Sequence, residues 1–279
     1  MIRRHKLIFI TLLLIANILA WITVYDLSQP QLLEVSFFDV GQGDSIFIET
    51  PQGHQILIDG GPDSAVLEKL GSEMPFSDRS IDLIVLTHPE HDHIAGLISV
   101  LGAYEVENVL WTGIIRETVE YREWLDCLEK EGTNIIIAKK GQRIVLGGVY
   151  IDVLYPFESL EGEIVKEVNN SSVVFRLVFG ENSFLFTGDI FKSVERELEE
   201  ADSDILKVSH HGSKTSSDED FIVSISPDIA VIQVGKDNRY GHPHLETLEI
   251  LNKYDINIQR TDLLGDIKII SNSINYVID

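Results

Sequence analysis

The segment Thr87-His88-Pro89-Glu90-His91-Asp92-His93 limits what this chain can fold into more than any other part of it. It follows the largely apolar stretch 81–86, which is typical of a buried strand. Five of its seven residues carry an imidazole or a carboxylate, and a strand end is a rigid place from which to aim such groups. Imidazole nitrogens together with carboxylate oxygens suit Zn²⁺, Mn²⁺ or Fe. The segment therefore predicts a metal site, with a polar surface loop as the alternative.

A basic cluster and an uncharged apolar segment open the chain. Residues 3–6 are basic, and the eighteen residues 7–24 carry no charged side chain. A membrane span needs about 20 apolar residues and tolerates about 17, and Trp21 and Tyr25 stand where interfacial aromatics are common. We expect a single-pass anchor in the cell membrane, with the basic end in the cytoplasm and the remaining chain extracytoplasmic. The alternative is a cleaved signal peptide and a secreted protein.

The composition limits both the partners and the sources of stability. Asp and Glu number 45 against 22 Lys and Arg, which gives a formal net charge of −23. A broad nucleic-acid surface is therefore not expected, because phosphate contacts require Lys and Arg. A metal-lined cleft remains compatible, since bound cations reverse the local field. The single cysteine, Cys127, allows no internal disulfide and is expected to be a core or boundary residue rather than a nucleophile.

Short strand-like runs and amphipathic segments follow the apolar segment. We assign residues 1–30 to an anchor and tether and residues 31–279 to one α/β domain. Strands are predicted at 33–38, 45–49, 55–58, 81–86, 108–111, 134–138, 149–154, 172–179, 183–186, 204–208, 229–234, 256–259, 267–270 and 276–278, and helices at 64–70, 94–101, 117–130, 191–200 and 245–254. Hairpins at the start of each half, followed by alternating strand and helix, favour two mixed sheets packed face to face with helices outside.

Polar clusters follow several of the predicted strands. In a layered α/β fold, functional sites form in crevices at such strand ends. Each cluster also has a purely structural interpretation: a turn at Asp59, a helix N-cap at Asp189, a loop pair at the two neighbouring histidines. The clusters that we expect to meet at one face are Asp59, His88–His93, Asp189, His210 with His211, and His242 with His244.

Several stretches resemble one known family. They are Phe38-Asp39-Val40-Gly41-Gln42-Gly43-Asp44-Ser45, Leu57-Ile58-Asp59-Gly60-Gly61, Thr87–Gly96, Phe186-Thr187-Gly188-Asp189 and Leu206–Ser213, with Tyr240-Gly241-His242-Pro243-His244 and Arg260-Thr261-Asp262 in addition. The chain resembles the metallo-β-lactamase superfamily and, within it, the C-terminal hydrolase domain of ComEC-type competence proteins, the DNA-uptake channels of bacteria. The resemblance covers about residues 33–279 and implies a four-layer αββα sandwich.

The resemblance also implies a set of metal ligands. The superfamily's loop His-x-His-x-Asp-His maps its four ligand positions onto His88, Glu90, Asp92 and His93, and His91 falls on a spacer. The third position is therefore a carboxylate. The superfamily's middle histidine has no counterpart, because residues 169–172, Asn-Asn-Ser-Ser, occupy that stretch. The first metal would be held by His88, Glu90 and an amide oxygen, which is a harder and weaker set than three imidazoles.

The second implied metal site keeps Asp92, His93 and a final histidine, with Asp189 bridging the two ions. For that final ligand we expect His210, with His211 as the second choice, because neighbouring residues on an extended backbone point to opposite sides. On this basis two divalent ions, Zn²⁺ or Mn²⁺, are expected.

Further residues are expected to assist the chemistry. Besides Asp92, the catalytic candidates are His242 or His244 as donors to a leaving oxygen and Ser213 as a donor to an oxyanion, while Lys207 and Lys214 supply local positive charge. The residues expected to support the site are Asp39, Asp44, Asp59 and Asn170.

Three function classes remain open. The favoured one is a metal-dependent phosphodiesterase or nuclease, with single-stranded DNA as a candidate substrate and a link to DNA uptake. The second is another metallohydrolase that cleaves a lactam, a thioester or a phosphoryl-choline ester. The third is a catalytically weak accessory module. The partners expected with the first class are the membrane, through the N-terminal helix, and a DNA-uptake channel.

Overall fold

A computed structural model describes residues 2–28 and 32–279 and divides the chain into two units, residues 1–31 and 32–279. The first unit contains helix α1, Ile2–Ser28. Its stretch Arg4–Val24 has a mean hydropathy of 2.6 and is long and apolar enough to cross a membrane. A signal sequence has the same properties, so α1 is compatible with both expectations for this segment.

Two mixed β-sheets form the second unit. Within residues 32–279 the first sheet has eight strands in the order β15-β14-β1-β2-β3-β4-β5-β6, and the second has seven in the order β13-β12-β11-β10-β9-β8-β7. The strands are β1 Leu33–Phe37, β2 Ile46–Glu49, β3 Gln55–Ile58, β4 Ser80–Val85, β5 Glu105–Trp111, β6 Asn134–Ile137, β7 Arg143–Leu146, β8 Val149–Tyr155, β9 Val174–Phe179, β10 Asn182–Phe186, β11 Ile205–Lys207, β12 Ile229–Ile232, β13 Asn257–Arg260, β14 Ile267–Ser271 and β15 Tyr276–Ile278.

The two sheets pack face to face through alternate side chains of their strands. On β3, Ile56 and Ile58 enter the core between the sheets, whereas Leu57 belongs to the core on the outer face. This alternation follows from the pleat, which sends successive side chains to opposite faces. Phe37 of the first sheet stacks on Phe186 of the second, with ring centroids 6.3 Å apart. Because both faces of β3 are covered, its last three residues, Ile56–Ile58, are all apolar.

Helices cover the outer faces of both sheets. The remaining helices are α2 Ala65–Glu73, α3 His91–Leu101, α4 Val119–Glu131, α5 Lys192–Glu195, α6 Glu219–Ile225, α7 Leu245–Lys253 and α8 Thr261–Leu264. Buried side chains of α2, α3 and α4 pack on the first sheet, and those of α6 and α7 pack on the second. The arrangement is helix, sheet, sheet, helix, which confirms the predicted αββα sandwich.

Some predicted elements differ from the structure. The helix predicted over 191–200 ends after Glu195, and Glu200 adopts a left-handed backbone with φ of 57°. The charged residues of this stretch favour a helix by propensity, but propensity alone is a weak determinant. Strand β7 and helices α6 and α8 were not predicted. For α6 a signal was present, because Asp218 precedes it and caps it by accepting a hydrogen bond from the amide of Asp220.

Parallel pairing brings the strand ends that carry polar clusters to one edge of each sheet. β3 runs parallel to β4 in the first sheet, and β10, β11 and β12 run parallel to one another in the second. The carboxyl ends of β3 and β4 lead into Asp59 and the 87–93 segment, and those of β10 and β11 lead into Asp189 and the 209–212 turn. This is the edge at which ligands bind in open α/β sheets.

Candidate metal centre

Three buried imidazoles converge on one carboxylate between the two sheets. The Nε2 atoms of His211, His93 and His88 lie 3.3, 3.4 and 4.0 Å from Oδ2 of Asp189. His211 Nε2 also lies 3.5 Å from Oδ2 of Asp92. None of the three Nε2 atoms has a hydrogen-bond partner among the residues that the structure describes, although all are buried. Buried polar atoms without partners are rare in proteins, and three of them together indicate a binding site for a ligand such as a metal ion.

Hydrogen bonds on the opposite ring nitrogens fix these imidazoles. His93 Nδ1 donates to Asp59 Oδ2 at 2.8 Å, and His211 Nδ1 donates to the carbonyl of Gln233 at 2.9 Å. His88 Nδ1 lies 3.1 Å from Thr87 Oγ1, which itself donates to Asp59. A donor role at Nδ1 leaves the lone pair on Nε2. This is the arrangement that orients metal-binding histidines in proteins.

Close backbone approaches hold the first-sheet part of the site together. A Cβ on Gly96 would lie 1.8 Å from the carbonyl oxygen of Gly60, and one on Gly43 would lie 2.2 Å from the carbonyl oxygen of Asp92. Helix α3 therefore starts in direct contact with the turns that follow β1 and β3. Glycine is required because any side chain would separate these segments and shift Asp92 and His93.

A buried lysine lies behind the cluster. Lys207, the last residue of β11, pairs with Asp44 Oδ2 and lies 3.6 Å from Asp189 Oδ1. Its Nζ also donates to the carbonyl oxygen of Gly188 at 3.1 Å. Although burial lowers the pKa of Lys207, Asp44 and Asp189 outweigh that effect and raise it. Lys207 thus provides a fixed positive charge on the side of the cluster away from the cavity.

The remaining pKa shifts show that the cluster attracts cations. Burial lowers the pKa of His93 and His211, but Asp189, with Asp59 and Asp44 respectively, outweighs burial and raises both pKa values well above the usual range. Burial and the neighbouring His93 lower the pKa of His88 to about 3, so this imidazole is neutral.

Two carboxylates of the cluster, Asp189 and Asp92, stay ionised. Burial raises the pKa of Asp189, but His211 and His93 outweigh it and hold that pKa well below its ordinary value. The pKa of Asp92 is lowered in the same way, because His211 and His93 outweigh burial. Anionic oxygens are therefore available as ligands beside the imidazole nitrogens.

The turn after β11 places His211 closer to the Asp189 carboxylate than His210. His211 is buried and points at Asp92 and Asp189, whereas His210 Nε2 lies 4.0 Å from Asp189 and 3.3 Å from the Asn169 amide nitrogen. Both residues have left-handed backbone conformations, with φ of 50° and 53°. The preference for His210 assumed an extended backbone, and this tight turn instead lets both rings line one cavity. The geometry favours His211 as the ligand.

The part of the centre near His88 contains fewer donors. Glu90 lines the same cavity, but its Oε1 accepts a hydrogen bond from Arg116 at 3.1 Å. Asn169 lines the cavity, whereas the supporting candidate Asn170 accepts the Phe191 amide through Oδ1. One oxygen of the Glu90 carboxylate thus binds a guanidinium, while the residue still lines the cavity.

The structure separates the other catalytic candidates. His242 lines the cavity, and burial together with His211 and His210 lowers its pKa to about 4. His244 lies behind it and accepts a hydrogen bond from the Lys214 amide through Nδ1. Ser213 does not line the cavity. Its hydroxyl is hydrogen-bonded to that of Thr215 at 2.9 Å. Of the three, His242 alone borders the cavity.

The supporting candidates have distinct roles. Asp44 and Asp59 lie within the cluster and contact Lys207 and His93. Asp39 instead forms its own turn by accepting the Gly41 amide at 3.1 Å. His91 is 62% exposed and bonds Glu120, as expected for a spacer position.

Three contributors were not anticipated from the sequence. Arg116 holds Glu90, Ser172 accepts the Asp189 amide, and Gln233 binds His211. Gln233 contacts His211 through its backbone carbonyl, which any residue at that position could provide, so its side-chain type carries no signal for this contact. Nothing local marks Arg116, which lies 26 residues from its partner.

The donor set fits divalent metal ions. Groups of three ligand atoms within 4.8 Å of one another are formed by His88, His93 and Asp189; by Asp92, His93 and His211; by Asp44, Asp59 and His93; and by Asp44, Asp189 and His211. The cavity above them, the metal cavity, has a volume of about 190 Å³. Imidazole nitrogens with carboxylate oxygens suit Zn²⁺ and Mn²⁺. Because the three Nε2 atoms lack other partners, a metal ion is the ligand that this chemistry accommodates.

A family model described as the metallo-beta-lactamase superfamily matches residues 38–236. This is more than half of the chain, so the chain belongs to that superfamily. Together with the cluster above, this makes it a metal-dependent hydrolase related to competence proteins.

Two relatives and one solved structure define the likeness further. ComE operon protein 3 of Bacillus subtilis (strain 168) is 35% identical over 84% of this chain and 32% of its own length. Competence protein ComA of Neisseria gonorrhoeae is 30% identical over 83% of this chain and 31% of its own length. The crystal structure of YhfI from Bacillus subtilis, a metallo-beta-lactamase fold protein, has a TM-score of 0.59 at 14% identity, covering 86% of this chain and 100% of that chain. The predicted resemblance is confirmed, and the chain spans about a third of the length of the two relatives.

Proposed function

We propose that this protein is a metal-dependent phosphodiesterase that acts on nucleic-acid-like substrates. The observation that carries the proposal is the convergence of His88, His93 and His211 on the single carboxylate oxygen of Asp189. A carboxylate shared in this way suits two ions side by side. Such pairs of ions clamp the attacking and leaving oxygens of an in-line displacement at phosphorus and acidify a water to a pKa of about 7.

The chain's own residues have separable tasks in this proposal. Asp92, His93 and His211 would hold one ion, His88 with the Asn169 amide would hold the other, and Asp189 would be available to both. His242 borders the metal cavity with a buried Nδ1 that has no partner among the residues described. It is placed to form a hydrogen bond with the leaving oxygen of a substrate.

The donor set favours phosphodiesters over lactams. The resemblance implies three imidazoles at the first site of a lactamase, whereas here the third-position carboxylate of Glu90 faces Arg116. A harder set of oxygen donors suits Mn²⁺ and phosphate oxygens. The relationship to a competence protein supports a nucleic-acid context for the substrate.

Hydrolysis of bis(p-nitrophenyl) phosphate by the full chain loaded with Mn²⁺ or Zn²⁺ tests the proposal. We expect turnover that is abolished by a chelator and by Asp92→Ala, and that survives in Asp126→Ala, which removes an exposed carboxylate on α4. A chromogenic lactam and a thioester serve as competing substrates. Hydrolysis of either one without the phosphodiester would make the protein a different metallohydrolase, and failure to bind metal would make it an accessory module.

We further propose that α1 anchors the protein with its basic end inside and residues 32–279 outside the cytoplasm. The basis is the positive cluster before the stretch Arg4–Val24, because such clusters stay in the cytoplasm. Protease added to intact cells is expected to degrade the hydrolase unit. Complete protection in intact cells, combined with degradation after lysis, would reverse the orientation. Release of a shortened chain into the medium would support a cleaved signal.

A further inference from the structure

A second, larger cavity, which we call the groove, opens beside the metal cavity. It has a volume of about 750 Å³, within the range of about 300–1,000 Å³ that is usual for small-molecule sites. Gln42, Glu90, Asp92 and Tyr240 line both cavities. The two cavities are therefore adjacent, so a substrate larger than the metal cavity has room to extend into the groove beside Tyr240.

Tyr240 presents an aromatic surface at the junction of the two cavities. The side chain is 50% exposed, and its ring stacks on that of His242 with centroids 5.7 Å apart and an interplanar angle of 23°. The Arg239 guanidinium carbon lies 5.1 Å from the Tyr240 ring centroid, and its Nη2 donates to the phenolic oxygen at 2.9 Å. A guanidinium beside an exposed aromatic ring provides two planar surfaces on which another flat group can stack.

The loop that carries this pair is held in one conformation. Asn238 Nδ2 donates to the carbonyl oxygens of Gly235 at 3.0 Å and His242 at 2.7 Å, and its Oδ1 accepts the His242 amide at 3.0 Å. Gly235 in turn packs on the backbone of Gln42, because a Cβ there would lie 2.7 Å from the Gln42 nitrogen. A platform that is already ordered loses little entropy on binding.

The charge of the groove determines how a nucleic acid can bind it. Its lining contains four carboxylates, Asp63, Glu90, Asp92 and Asp237, and the guanidinium of Arg239. A run of phosphates is repelled by such a surface, since backbone contacts require Lys and Arg. Affinity must therefore come from the metal ions for one phosphate and from stacking for the neighbouring base. Bases in a duplex are already stacked and paired, so an unpaired base fits this groove best.

We propose that Tyr240 and Arg239 form a stacking subsite for one unpaired nucleobase adjacent to the phosphate that is cleaved. The proposal rests on the phosphodiesterase function proposed above and adds the residue that selects the substrate. Stacking of one base on an aromatic side chain changes affinity by about 5- to 150-fold, equivalent to about 1–3 kcal/mol. Tyr240 is thus a specificity-determining residue rather than a metal ligand.

Two substrates with the same leaving group test the subsite in the full-length, metal-loaded protein. They are thymidine 5′-(p-nitrophenyl phosphate), which carries a base, and methyl p-nitrophenyl phosphate, which does not. We expect Tyr240→Ala to lower the kcat/KM ratio of the first substrate to the second by about 5- to 150-fold. Tyr240→Phe should keep the ratio, because the ring remains.

Tyr254 provides a matched control. It is also an exposed tyrosine beside a cation, with Lys253 Nζ 5.3 Å from its ring centroid, but it follows α7 and lines neither cavity. Tyr254→Ala is expected to leave the ratio unchanged. Equal ratios in the native protein and in Tyr240→Ala, with both esters hydrolysed, would overturn the subsite and leave the phosphodiesterase function intact.

Binding separates the subsite from the hydrolysis. If neither ester is hydrolysed, the phosphodiesterase function fails, and fluorescence anisotropy then compares a short oligothymidylate with an abasic strand of the same length. Tighter binding of the oligothymidylate that is lost in Tyr240→Ala would support the subsite. Equal binding of the two strands would overturn it.

Discussion

The two sides of the metal centre differ in how completely they are built. We call Asp92, His93 and His211 the Asp92 side, and His88, Asn169 and His210 the His88 side. On the Asp92 side both imidazoles are buried and held from behind, by Asp59 and by the Gln233 carbonyl. On the His88 side one imidazole is buried, while the His210 side chain is 22% exposed and faces an amide group.

We propose that this difference gives the two sides unequal affinities for metal ions. A ligand that is already oriented by a second hydrogen bond binds a metal with a smaller entropy cost, and loss of such support costs about 10- to 100-fold in affinity. In this proposal the Asp92 side forms the tighter site. The His88 side, with one buried imidazole, one partly exposed imidazole and the Asn169 amide, forms the weaker site in this proposal. Asp189 faces both, so its ionised state supports whichever ion is bound.

The largest expected effect is a loss of stability when the buried charge of Lys207 is removed. Lys207→Met removes a buried lysine cation that contacts both Asp44 and Asp189. Removal of one partner from a buried ion pair costs about 3–5 kcal/mol, because the other charge is left uncompensated. Chemical denaturation of the metal-free protein should show a loss of that size. Lys214→Met, at an exposed lysine nearby, is the control, and equal stability of the two variants would contradict the assigned role of Lys207.

The next effect distinguishes the two neighbouring histidines. We expect His211→Ala to lower the affinity for the tighter metal ion by more than about 100-fold, beyond the usual cost of losing a supporting partner. His210→Ala should lower it by less than about 10-fold, because its ring is not in the Asp92 side. Titration calorimetry with Mn²⁺ and Zn²⁺ measures both. The reverse order would restore His210 as the ligand.

The sequence predicted the layers and much of the centre because those features depend on local patterns. Alternating apolar residues indicated strands, and the polar segments after β3, β4 and β10 indicated Asp59, the 87–93 segment and Asp189, which the structure brings together. Parallel strands place such segments at one edge whatever the details of the loops.

The remaining features depend on distant contacts. The left-handed turn at His210 and His211 is held by a hydrogen bond from the His210 amide to the carbonyl of Gly188, and by the packing of Gly212 on Pro243. Non-glycine residues rarely adopt this conformation, so no local pattern predicts it. The Arg116 contact with Glu90 likewise joins loops from different strands.

A smaller effect sharpens the comparison by removing support without removing a ligand. Asp59→Asn keeps the shape of the side chain that accepts from His93 Nδ1 but removes its charge. We expect a loss of about 10- to 100-fold in affinity at the tighter site and little change at the weaker one. Asp82→Asn is a matched control, because Asp82 binds the Nδ1 atom of His54 at 2.8 Å outside the metal cavity. A similar loss in both variants would show a general effect on stability instead.

The smallest effect concerns Glu90, which the loop pattern assigned to the first metal. In the structure its carboxylate is partly exposed and bonded to Arg116, and burial raises the pKa of Glu90 while Arg116 opposes that shift. A partly exposed pair of this kind contributes at most about 1 kcal/mol, or about fivefold in an equilibrium constant. Glu90→Gln and Arg116→Met should therefore each change the affinity of the weaker metal site by less than about fivefold, measured by the same titration. A larger loss in Glu90→Gln alone would mean that the carboxylate leaves Arg116 and binds the metal, which would make the His88 side more complete than its geometry indicates.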